Sequence, residues 1–95
     1  MSLAALLDAG EVFGFEHART FWIPIFQFAL RDLSVRPELR KMLAELRSVF
    51  DGSAIAVWFA QPNAWLQGRR PVDPVLPEFP AVLEAARTDR FIAAA

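Results

Sequence analysis

Pro37 opens the stretch of this chain whose spacing leaves the least freedom. A proline at the first helical position sacrifices no hydrogen bond, and it drives Arg36 before it out of helical geometry. Beyond it Leu39, Met42, Leu43, Leu46, Val49 and Phe50 recur at steps of three and four, while Glu38, Arg40, Lys41, Glu45 and Arg47 fall largely on the other side. The pattern predicts an amphipathic helix, whose apolar stripe must be buried against further elements.

That helix is expected to stop at Asp51 and Gly52, because glycine takes the left-handed conformation after a helix end without a Cβ penalty. Ser53 then caps a second helix over residues 54–60. Its Ile55, Val57, Trp58 and Phe59 cover most of the circumference, which implies burial on nearly all sides. Pro62 ends it. A last helix is expected over residues 77–90, with Phe79, Val82, Leu83 and Ala86 facing inward and Glu78 near its positive end. Pro80 lies in the first turn, where amides lack helical acceptors, and does not oppose this reading.

The first third carries weaker signals. Residues 2–9 read as a short helix with Gly10 as its stop, and Gly14 is a second breaker. Residues 20–33 are apolar almost all round, and their aromatic and β-branched content also suits a strand. A helix is expected over residues 24–33. No repeat, low-complexity tract or long linker interrupts the chain. The expected fold class is therefore all-α: one continuous small domain of about four to five helices, with residues 1–36 an apolar helical segment suited to dimerisation and residues 37–95 the second region.

Composition narrows the function. The 95 residues are 55% apolar, above the usual share, so some apolar surface is expected to meet another chain, in a homodimer or with a partner. Net charge is −1, with ten basic and eleven acidic residues spread along the chain, which disfavours DNA binding by this chain alone. Cysteine is absent, which removes disulfides and thiolate chemistry and fits a reducing compartment, the cytoplasm. The most apolar run, FWIPIFQFAL over residues 21–30, is too short to cross a bilayer. Asp8 and Glu11 argue against a signal peptide.

Catalytic groups are scarce: one histidine, no cysteine and no tyrosine. His17 and Glu16 are adjacent, so on a helix they diverge by about 100° and do not converge on one ligand. Asp73 is expected to cap a short helix after Pro71 or to pair with Arg69 or Arg70. Those two arginines lack the glycine-rich context of a phosphate site, so pairing at the surface or with a partner carboxylate is expected. Trp58, Phe59 and Trp65 offer stacking surface, but no basic groove accompanies them. Core packing is expected for Trp58 and Phe59. Trp65 suits either a core or an exposed anchor. No catalytic residue, cofactor or metal is expected.

The order Trp58-Phe59, Pro62-Asn63, Leu66, Gly68, Pro71, followed by apolar Val72, Val75 and Leu76 and an amphipathic helix, resembles the toxin-binding domain of the Xre/MbcA/ParS antitoxins. The likeness covers about residues 38–92. It implies an all-helical cytoplasmic antitoxin that self-assembles and neutralises a cognate RES-type, NAD-consuming toxin through its C-terminal segment. Carried onto this chain, it points to Arg87, Arg90, Phe91 and Ile92 as toxin contacts, while Trp65, Arg69 and Arg70, on the corner between Pro62 and Pro71 that holds the final helix, are further candidate partner-binding residues. Two departures stand out. Residues 1–36 are too short and apolar for the operator-binding helix-turn-helix of many members, and the ending RTDRFIAAA lacks their closing glycine. Within the corner, Asn63 is expected to bond to the backbone two residues on, Gly68 to take a positive φ, and Pro71 to restart a helix.

Overall fold

The computed structural model describes residues 2–75 and 77–95. Its elements run α1 (Leu3–Asp8), β1 (Phe15–His17), β2 (Thr20–Trp22), a 3₁₀ turn (Ile25–Gln27), α2 (Pro37–Leu46), α3 (Gly52–Ala60), a second 3₁₀ turn (Ala64–Leu66) and α4 (Phe79–Ala94). Strands β1 and β2 form an antiparallel hairpin that pairs Phe15 with Trp22, Glu16 with Phe21 and His17 with Thr20. The expected all-α class is therefore corrected: four helices and a two-stranded sheet among the described residues make the fold mixed α/β. Leu76, placed by sequence in the apolar series after Pro71, lies outside the described residues.

The hairpin turns on Ala18 and Arg19, both with positive φ (52° and 65°), the backbone of a type I′ connection. Neither is the asparagine or glycine that normally announces such a turn. Just beyond it, the helix expected over residues 24–33 does not form. The chain makes one 3₁₀ turn, and Phe28 then extends to bridge Val35. Gln27 explains why. Its fully buried amide accepts from the Phe13 N–H (2.8 Å) and donates to the carbonyls of Phe13 and Pro24 (3.0 Å each), so it replaces a ladder that Pro24 and the extended flanks do not offer. Residues 1–36 are thus not a helical segment; α1, capped by Ser2, is its only α-helix among the described residues.

Helix α2 begins at Pro37 as read, and Leu39, Met42, Leu43 and Leu46 are completely buried. It ends at Leu46, before the expected residue 50. Asp51 and Gly52 are a start, not a stop: the Asp51 carboxylate accepts from the Ala54 N–H at 2.9 Å and caps α3, the role assigned by sequence to Ser53. Gly52 has no positive φ; it is there because backbone crosses it closely. The last helix also shifts. Pro71 does not restart one, and α4 starts at Phe79 and reaches Ala94.

Helices α2, α3 and α4 share one core with Phe13, Leu66 and Val75. Phe59 lies at its centre, stacked on Phe13 (5.8 Å between centroids) and tilted against Phe26 (4.9 Å). A smaller cluster of Leu6, Val12, Phe28 and Val35 holds the N-terminal third together.

Candidate partner-binding site

The corner after α3 is built by three restrictive residues. Gln61, preceding Pro62, is forced into extended geometry and ends the helix. Asn63 follows, and its side-chain oxygen accepts from the Trp65 N–H at 2.9 Å, the local turn expected from sequence. Its backbone carbonyl accepts from Leu66 and Gly68, and its own N–H donates to the Arg69 carbonyl. Gln67 and Gly68 then take successive left-handed conformations (φ 56° and 80°), as expected for Gly68 and not for Gln67. A bond from the Val72 N–H to the Phe59 carbonyl returns the chain to α3, with Pro71 buried alongside.

This corner is fastened to α4 by Asp89. Its Oδ2 accepts from the Trp58 indole N–H (2.7 Å) and from the Asn63 side-chain N–H (3.1 Å), and its Oδ1 accepts from the Trp65 indole N–H (2.8 Å). Trp58 is 4% exposed and packs edge-on against Phe59, as expected for a core residue. Trp65 is 53% exposed, so its indole is held at the edge with much of its surface free. Sequence reasoning singled out the donors and missed the acceptor. A signal existed: a buried indole N–H needs a partner, and Asp89 stands in the adjoining amphipathic helix.

The arginines named from sequence are all engaged within the chain. Arg69 makes a two-pronged contact with Glu78, whose hydrogen bond raises the guanidinium above its ordinary value and holds the Glu78 carboxyl below its own. Arg70 pairs with Asp73 at 3.0 Å; this is the pairing alternative for Asp73, which caps no helix. Arg87 bonds Glu84 at 2.8 Å and reaches Glu45 of α2 at 3.4 Å. Arg90 Nε lies 3.1 Å from the buried Oε2 of Glu45 but out of line for a hydrogen bond, so that contact is electrostatic only. These pairs orient the four side chains more than they stabilise the fold, because their arginine ends are exposed.

What α4 leaves uncovered is its last turn. Phe91 is 75% and Ile92 56% exposed, whereas Val82, Leu83, Ala85 and Ala86 of the same helix are buried. Ile92 and Ala93 stand three and four residues past Asp89, and so continue the corner-facing side of the helix beyond the body. Glu16 and His17 lie on β1, where adjacent side chains point to opposite faces, and no group of metal-ligating residues gathers among the described residues.

No family profile, curated protein or solved structure matches the chain. No helix among the described residues is long and apolar enough to cross a membrane.

Proposed function

We propose that this protein is a non-catalytic, cytoplasmic antitoxin of a type II toxin-antitoxin system, which neutralises a cognate RES-type toxin through the end of α4. One observation carries the reading: the Trp58, Asn63 and Trp65 donors converge on Asp89, fixing α4 on the corner, while Phe91 and Ile92 of that helix stay uncovered. A mount that is already ordered loses little conformational freedom on docking, and exposed aromatic and aliphatic side chains at its tip supply the apolar anchor of an interface. The resemblance in the Trp, Pro-Asn, Gly, Pro order supplies the kind of partner. Coexpression with a candidate RES-type toxin from a neighbouring reading frame tests the reading. A copurifying complex and a protected host are expected; a free toxin and an unprotected host would reject it.

A second reading, an oligomerisation module, is favoured by a different surface. Leu3, Ile25 and Leu33 are exposed and, with Leu6, Ile23 and Phe28, line an apolar groove of about 420 Å³. Sedimentation of the purified chain with and without Leu33→Ser distinguishes a dimer closed through this groove from a monomer.

A further inference from the structure

Asp89 has no ion-pair partner within 4.0 Å among the described residues. Its three hydrogen-bond donors are neutral N–H groups, none of the ion pairs includes it, and Arg90 beside it turns to Glu45. A carboxylate offers about four lone-pair positions. Two donors sit on Oδ2, in partly buried surroundings, and one on Oδ1, at the exposed rim, so an open position remains on the outer oxygen. Next to that oxygen is the half-exposed indole of Trp65.

We infer that the notch between the Trp65 ring and Asp89 Oδ1 receives an arginine side chain from a partner polypeptide. It rests on reading this face as a docking surface, and it names the chemistry of the partner's contact. A guanidinium is flat, so it stacks on an indole face and still directs an N–H at a neighbouring carboxylate oxygen. An ammonium is a compact, strongly hydrated point charge and serves one of the two contacts well. The charge-assisted bond to Oδ1 also gives the carboxylate the ion-pair partner it lacks, which a neutral donor does not. Ile92 and Ala93, one turn past Asp89, provide apolar surface for the methylene stem of the incoming side chain.

The test uses N-acetyl-arginine amide and its neutral analogue N-acetyl-citrulline amide, titrated into the nitrogen-15-labelled full chain while the indole N–H resonances are followed. The Trp65 and Trp58 resonances are expected to move saturably with the arginine compound, with binding about fivefold or more tighter than for citrulline and weakened by added salt. Trp22 is the internal control: its equally exposed indole donates to the His17 backbone carbonyl, not to a carboxylate, and its resonance stays in place. Asp89→Asn should abolish the saturable shift. Should that variant unfold, Trp65→Ala, which leaves the Trp58 and Asn63 bonds to Asp89 intact, is expected to abolish it at the Trp58 resonance. Equal shifts with citrulline, or an arginine shift that persists in Trp65→Ala, would overturn the proposal. Toxin capture that fails beside a positive titration rejects only the RES-toxin reading, whereas capture that succeeds beside a negative titration rejects only this one.

Discussion

The Cα of Gly52 faces the carbonyl of Gly14 so closely that a methyl group at position 52 would lie 2.0 Å from its oxygen and 3.2 Å from its carbon. Both obstacles are backbone, so no rotamer change relieves them. This crossing seats the approach to the β hairpin on the first turn of α3. Gly52→Ala is expected to destabilise the fold by about 2–3 kcal/mol, despite a helix-propensity gain of about 1 kcal/mol. A lowered urea midpoint at unchanged slope is the readout. An unmoved midpoint would show that the hairpin is not seated there.

Gln27 is expected to be as sensitive as a core leucine. Gln27→Leu keeps the bulk but leaves the buried N–H and carbonyl of Phe13 without the partners they now have. The cost is about 2–4 kcal/mol. Thermal melting measures it, and faster amide exchange at Phe13 locates it.

Trp58 combines burial with a bond to Asp89. Trp58→Ala is expected to cost about 3–5 kcal/mol through the cavity it leaves. Trp58→Phe restores much of the apolar volume and isolates the lost N–H, at about 1–3 kcal/mol. Equal losses in both variants would mean that the hydrogen bond, not the ring, dominates.

Phe91 and Ile92 should behave in the opposite way. Phe91→Ser and Ile92→Ser lie on exposed surface, so each is expected to change stability by less than about 0.5 kcal/mol. Each should nevertheless weaken toxin capture by at least about tenfold if the last turn is the anchor. Calorimetric titration against the toxin, alongside melting curves, separates the two effects.

The Arg69–Glu78 pair predicts a small acid dependence. The hydrogen bond from Arg69, aided by its charge and opposed by burial, lowers the Glu78 carboxyl from its ordinary 4.5. A depressed folded-state value stabilises the fold above the unfolded value and loses that effect as pH falls through the folded one. The stability difference between the parent and Arg69→Gln should therefore be constant above about pH 5 and close on acidification below the ordinary carboxylate value. A difference that does not vary with pH would show the pair to be inert.

Periodicity made α2 and the buried half of α4 legible, because Leu39, Met42, Leu43, Leu46, Val82 and Ala86 repeat at the spacing that burial requires. The local chemistry of Asn63 and Gly68 was equally readable, since each acts within a few residues. The hairpin was not, because Ala18 and Arg19 hold positive φ without the residue types that prefer it. The segment after Pro24 misleads for a related reason: Gln27, the polar residue inside the run FWIPIFQFAL, is the bracket that shapes the run, and its partner Phe13 lies fourteen residues away. Asp51 and Gly52 mislead in direction, because a cap before a helix and a stop after one share the same residues. At the corner the donors stand out as two tryptophans and a Pro-Asn step, whereas Asp89, 26 positions from Asn63, looks like any solvated carboxylate until the chain folds back on it.

Asn63 closes the loop with its backbone and reaches α4 with its side chain. Since one residue serves both, local opening of the loop would also loosen the helix, and the two should unfold as a single cooperative unit. Amide protons from the end of α3 to the middle of α4 would then exchange with solvent at a common free energy, and a protease would find no early nick between them.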